Sequence, residues 1–212
     1  MECHICKPCM MLPDMYNYQW MEVQRSKSNK KTWDQEMVEL FCDYKQNPVS
    51  PPRKIRAPGE TEPRLFRIWD ISQKFLILIN NILVATSKDS RLPEEFFAVI
   101  PNNSLDPEAQ PIFIGLSDKT HTLFCMDSDE GEPQLKLVER NIMELYSKHE
   151  EFKSFTFYSR SDSQQQTCCF ESAAFPGWFM STSKELNKPV GLSREGGTEI
   201  TNFYCERKDP LE

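Results

Sequence analysis

From residue 65 onward, apolar residues come in short alternating or continuous runs broken by turn signals, which is the pattern of strands. The runs are 65–69, 74–79, 82–87, 96–100, 112–117, 121–126, 134–138, 152–158, 167–171, 178–181, 189–192 and 201–205. Asn80-Asn81, Asp118-Lys119, Gly131-Glu132-Pro133, Pro176-Gly177 and Gly196-Gly197 separate them. One helical insert is expected over 141–146, with Asn141 as its cap and Glu144 three positions on. Before residue 65 a single stretch carries helical period. Trp33, Met37, Leu40, Phe41 and Tyr44 fall at i, i+4, i+7, i+8 and i+11, and Thr32 with Gln35 matches a capping box. A helix this short is marginal alone, so the pattern reads as a transient helix in a flexible extension. A sharper reading has it covering part of the main domain before processing.

The strand runs group by threes. Hairpin-like pairs at 76–85, at 112–116 with 122–125, and at 178–182 with 189–192 recur at about fifty-residue spacing, an architectural signal. With an outer strand on each side, three four-stranded units make an all-β fold, a β-trefoil of twelve strands. It leaves no bare sheet edge. Between helix and strands, 47–63 reads N-P-V-S-P-P-R-K-I-R-A-P-G-E-T-E-P, an extended linker open to proteolysis. The expected division is an N-terminal extension over 1–62 and a trefoil domain over 63–212.

Composition changes this picture only by exclusion. Residues 1–60 carry 9 Lys/Arg against 8 Asp/Glu, and residues 61–212 carry 16 against 24. An acidic domain argues against nucleic acid as a partner. No apolar run approaches the ~18 residues of a membrane span, and the first residues lack the basic-then-apolar order of a signal peptide. The eight cysteines are 3, 6, 9, 42, 125, 168, 169 and 205. Three are crowded at the start and two are vicinal, which reads as mostly free thiols from a reducing compartment.

Little in the chain reads as catalytic or metal-binding chemistry. Cys3, Cys6 and Cys9 with His4 have zinc-like spacing but no second ligand pair. His121 and His149 read as surface residues, and Asp127, Asp129 and Glu130 occupy too short a turn for calcium. Asn102-Asn103-Ser104 matches a glycosylation acceptor. Cys168-Cys169 is the one thiol pair that a thiol-dependent enzyme would use. Its neighbours, however, include no base, and strand alternation would point one thiol inward and the other outward. No catalytic residue, cofactor or metal is expected. The remaining class is a recognition module acting through its surface.

The stretch 170–182, F-E-S-A-A-F-P-G-W-F-M-S-T, combines an aromatic core with a Pro-Gly corner. Phe170, Ser172, Ala173, Pro176, Phe179, Ser181, Thr182 and Val190 resemble the interleukin-1 family signature, with Met180 at a place usually Leu or Ile. Phe66-Arg-Ile-Trp-Asp70, Gln73-Lys74, Asn80-Asn81, Leu83-Val84-Ala85, Asn141-Ile-Met-Glu-Leu-Tyr146 and Phe155-Thr-Phe-Tyr158 extend the resemblance over 64–207. It is strongest to the receptor-antagonist, interleukin-36 and interleukin-37 branches.

The resemblance implies a secreted, monomeric cytokine of inflammation and innate immunity. Such a ligand is made as a cytoplasmic precursor, is released without a signal peptide and docks on immunoglobulin-type receptor ectodomains. It implies receptor contacts at Trp69, Gln73, Asn202 and Tyr204, although Trp69 could instead close the barrel. It implies trimming about nine residues before Ile68-Trp69-Asp70, at Gly59 or Glu60. Aspartate at the place of Asn202 is common in agonists and lysine marks the antagonist, so asparagine leaves the sign of the response open. An intracellular or nuclear regulator built on the same fold is the alternative reading.

Overall fold

The computed structural model describes residues 30–44, 62–88, 92–129, 131–162 and 166–208. The chain separates into two units, Met1–Thr32 and Trp33–Glu212. The expected linker, the N-terminal cysteines and the trimming region at Gly59 and Glu60 lie outside the described residues.

The second unit is a closed six-stranded barrel with hairpins attached. Its barrel strands are β1 (Arg64–Asp70), β4 (Phe97–Pro101), β5 (Pro111–Leu116), β8 (Thr156–Asp162), β9 (Thr167–Ser172) and β13 (Phe203–Arg207). Each pairs antiparallel with the next, and β13 returns to pair with β1 from Phe66↔Arg207 to Asp70↔Phe203. Every barrel strand contributes one fully buried phenylalanine: Phe66, Phe97, Phe113, Phe157, Phe170 and Phe203. Closure removes the edges that an open sheet would expose.

The hairpins are β2 (Lys74–Ile79) with β3 (Ile82–Ser87), β6 (His121–Met126) with β7 (Gln134–Glu139), and β10 (Trp178–Ser181) with β12 (Gly191–Arg194). Asn80 and Asn81 have φ of 50° and 63°, the two left-handed residues that a two-residue hairpin turn demands. Pro176-Gly177 makes its turn with Trp178 N donating to Phe175 O at 3.0 Å and Gly177 at φ 81°.

The trefoil expected from the sequence is therefore present, with corrections in detail. The middle hairpin is β6–β7. The expected partner run 112–117 is barrel strand β5, which meets β6 only at Gly115↔Thr122. All of β5 is buried, whereas β7 alternates between exposed and half-buried positions, as a hairpin on the barrel's outside would. The run 189–192 is split at Val190 into β11 (Lys188–Pro189) and β12. The run 152–158 opens with a 3-10 turn, Lys153–Phe155. Helix α2 (Ile142–Ser147) is capped as expected, with Met143 N donating to Asn141 Oδ1 at 2.8 Å.

The larger correction concerns the early helix. Helix α1 (Trp33–Tyr44) is not a free segment of an extension, because it belongs to the compact unit that begins at Trp33. Met37 and Leu40 are fully buried, and the Trp33 ring meets Phe66 and Phe170 edge-on at 4.9 and 5.6 Å. Tyr44 packs edge-on against Tyr146 and donates its hydroxyl to Glu62 O at 2.6 Å. Glu36, which the apolar pattern passes over, is buried beneath the helix. Its Oε2 accepts from Arg64 Nη1 at 2.7 Å and from Arg207 Nη1 at 3.2 Å. Arg64 Nη2 also reaches Asp43 at 2.7 Å, and Ser161 donates to Asp34. A docked helix gains what an isolated one lacks, tertiary burial of its apolar face.

Two outcomes follow for unfolding experiments. Leu40→Ala should cost roughly 2–5 kcal/mol, read from the urea midpoint and from faster hydrogen exchange in α1. A change within about 0.5 kcal/mol would mean that the helix is not part of the folded unit. Gly115→Ala would place a Cβ 2.6 Å from the His121 carbonyl oxygen. It should destabilise by about 1–3 kcal/mol, checked by the same titration.

Candidate functional site

The site grows from the end of β1. Alternation along this strand buries Phe66, Ile68 and Asp70 and turns Leu65, Arg67 and Trp69 outward, each half-buried. Asp70 is fully buried, so its charge must be met by partners. One carboxylate oxygen accepts from Ser72 N at 2.9 Å and Lys74 N at 3.0 Å. The other accepts from Thr182 Oγ1 at 2.6 Å and faces Lys74 Nζ at 2.8 Å. Gln73 N then donates to Asp70 O at 2.9 Å, and Gln73 takes φ 62°. The 70–73 turn, which presents Ile71 and Gln73 to solvent, is thereby held by five contacts.

The same turn is joined to the chain's last segment. Ile71 N donates to Asn202 O at 3.2 Å, and Thr182 and Ile200 exchange backbone hydrogen bonds of 2.9 Å in both directions. Trp69 stands opposite Tyr204 on β13 and opposite Phe75 on β2. Its ring stacks on both, with centroids at 5.8 and 5.4 Å and interplanar angles of 28° and 21°. Lys88 Nζ lies 5.6 Å from the Phe75 centroid.

The four residues singled out from the sequence, Trp69, Gln73, Asn202 and Tyr204, thus come from β1, the 70–73 turn and the β13 segment and lie on one connected patch. Trp69 does not close the barrel. It sits on the outer face of β1, and among the described residues the tryptophan packed into the core is Trp33. Sequence reasoning missed Phe75 and Ile71 as members of the patch. Phe75 was legible as the residue between Lys74 and Leu76, which alternation sets together on the opposite, buried face of the strand. Ile71 is 46% exposed, unusual for an isoleucine and visible only in the structure.

The signature residues are scaffold. Phe170, Ser172, Phe179, Ser181, Thr182 and Val190 are buried. Ser172 Oγ accepts from Phe175 N at 3.3 Å, and Ala173 N donates to Thr156 O at 2.9 Å. Pro176 holds the corner. Thr182 reaches furthest, since its hydroxyl holds Asp70.

The other chemical candidates have plain structural roles. Asn102 is 2% exposed and donates its amide to Glu151 O at 2.6 Å and Thr156 Oγ1 at 2.8 Å, so it is not presented as a sugar acceptor. His121 Nδ1 lies 3.0 Å from Asp118 in a surface turn, and His149 is exposed. Cys168 points inward. Burial, with the Cys205 thiol beside it, raises its pKa well above the ordinary value. Burial pushes Cys169 up to about 11, the reverse of what an activated nucleophile needs. Among the described residues, no three of His, Cys, Asp and Glu come together as a metal site. No described helix is long and apolar enough to cross a membrane.

By its fold the chain is in the class of β-trefoil proteins, with a half-buried aromatic stack beside a braced turn as its candidate contact surface. Comparison with known proteins narrows the class. The family model described as Interleukin-1 / 18 matches residues 86–205. The interleukin-36 receptor antagonist protein of Mus musculus is 40% identical over 151 residues, 68% of this chain and 94% of that protein. The interleukin-1 receptor antagonist protein of Tursiops truncatus is 40% identical over 151 residues, 69% of this chain and 80% of that protein. The solution structure of the pro-inflammatory cytokine interleukin-36alpha superposes with a TM-score of 0.59 at 30% identity, over 73% of this chain and 99% of that one. The chain belongs to the interleukin-1 family of cytokines.

Asp70 tests the architecture of the patch. Asp70→Asn leaves Lys74 buried without its counter-charge, and a loss of about 3–5 kcal/mol is expected from chemical unfolding. Thr182→Val removes one hydrogen bond and leaves that ion pair, so it should cost about 1–3 kcal/mol.

Proposed function

We propose that this chain is an extracellular ligand that binds interleukin-1-family receptor ectodomains through the Trp69, Gln73, Asn202 and Tyr204 patch. The observation that carries the reading is the stack of Tyr204, Trp69 and Phe75 beside the exposed Ile71. Aromatic residues held rigid at a surface lose little entropy on binding, and such side chains dominate protein interfaces. The relatives named above are receptor antagonists and a pro-inflammatory cytokine, which supports a receptor as the partner and leaves both signs of response within the family. Asn202, joined through its carbonyl to the 70–73 turn, is the position at which the sign would be set.

The ligand acts as a monomer, with no cofactor and no catalytic step. It is made as a cytoplasmic precursor and trimmed near Gly59 or Glu60, in the stretch between α1 and β1. Trimming there would cut the covalent link from α1 to the barrel. The helix would then be held only by non-covalent contacts: its packing, its ion pairs with Arg64 and Arg207, and its hydrogen bonds to Ser159, Ser161 and Glu62.

The test is a reporter assay in cells bearing paired family receptors, using chains that begin at Gly59 or Glu60. A signal from the chain alone identifies an agonist, and suppression of another ligand's signal identifies an antagonist. Binding to no family ectodomain would overturn the reading. On the ectodomain that binds, Trp69→Ala and Tyr204→Ala should each weaken affinity by roughly 10–100-fold in surface plasmon resonance. Asn202→Lys should retain binding and lower any agonist signal.

A further inference from the structure

Cys168 and Cys205 sit on neighbouring strands with their sulfurs 3.0 Å apart. They share a face of the barrel. Cys168 is the register partner of Phe203, and Cys205 lies two residues further along β13 on the same side, opposite the buried Ile68. The thiols are therefore diagonal neighbours, a relation in which Cα atoms stand at about the outer limit for a bridge. Two features relieve that limit. The sulfurs have only about 1 Å to close to reach the ~2.05 Å bond. Moreover, β9 and β13 are laddered at the single pair Phe203↔Cys168, so the backbones can shift toward each other. The vicinal alternative, Cys168 with Cys169, is opposed by alternation, which puts those side chains on opposite faces.

We propose that Cys168 and Cys205 are a disulfide site, open in the reduced protein and closed by thiol–disulfide exchange with a low-molecular-weight disulfide such as oxidised glutathione. Cys205 is half-buried and Cys168 is 2% exposed, so Cys205 meets the reagent first. Its thiolate attacks one sulfur of oxidised glutathione, a glutathione thiolate leaves, and Cys205 carries a mixed disulfide. Cys168 gives its proton to solvent, attacks Cys205 Sγ and expels the second glutathione. Two cysteine thiols and one oxidised glutathione become one Cys168–Cys205 bond and two reduced glutathiones, which take up the two electrons. Because burial holds Cys168 protonated, the second step is the slow one. The bond would tie β13 to β9 one residue from Tyr204, so a change from reducing to oxidising surroundings would stiffen the strand that carries this side chain. The site stands apart from the receptor reading, since either can hold without the other.

The test uses the full-length chain, purified reduced and equilibrated with glutathione buffers from fully reduced to fully oxidised. Free thiols are then alkylated and peptides mapped by mass spectrometry. A Cys168–Cys205 linked peptide should build up as the buffer becomes oxidising. The melting temperature should rise with it by on the order of 10 °C, as expected when a loop of this length is closed. Cys205→Ser should abolish both changes, and Cys169→Ser should preserve both. The proposal falls if both cysteines are still alkylated at the most oxidising poise. It falls equally if Cys205 stays a mixed glutathione adduct, or if either cysteine is linked elsewhere. The wild-type peptide map decides the matter even if a variant folds poorly.

Discussion

The pairing of β1 with β13 is the constraint on which the rest depends. It joins the two ends of the trefoil, converts a long sheet into a ring and gives the six strand phenylalanines a common interior. Ring closure also places Trp69 opposite Tyr204 and brings the 70–73 turn against Asn202. Without that seam the patch would be fragments more than a hundred residues apart in sequence. The scaffold and the candidate site therefore share one set of hydrogen bonds.

Much of the fold was legible because its signals are local. Alternation located most strands, and Asn80-Asn81 and Pro176-Gly177 marked turns whose dihedral requirements these residues meet. The errors arose where tertiary context decides. The run 112–117 could pair with either neighbour on sequence grounds. Its register against β4 and β8, with every one of its residues buried, resolves it. Helix α1 displayed the correct apolar stripe, but sequence alone could not show what the stripe covers. Glu36 interrupted that stripe without signalling that Arg64 and Arg207 would meet it from paired strands far apart in the sequence.

The candidate site was legible in part of its membership and not in its support. Trp69, Gln73, Asn202 and Tyr204 were marked by resemblance, whereas their support had no sequence signal. Thr182 belongs to a motif that reads as scaffold, yet its hydroxyl fixes the buried carboxylate on which the 70–73 turn is built. Asn102 is the converse case. It has the pattern of a modification acceptor, and the fold uses its amide to tie two loops together. In both residues a polar side chain is explained by the desolvation it must offset.

Helix α1 carries a consequence for the order in which the chain assembles. Glu36 is bound by Arg207, 171 residues later. On the ribosome the helix segment emerges long before its partner on β13. The apolar stripe must therefore wait, exposed or loosely covered, until β9 and β13 have been made. Contacts of such long range are slow to form and leave apolar surface uncovered meanwhile. Among the described elements the first made is thus one of the last to be fully seated, and synthesis of this protein has a window in which chaperones would find α1 incompletely covered.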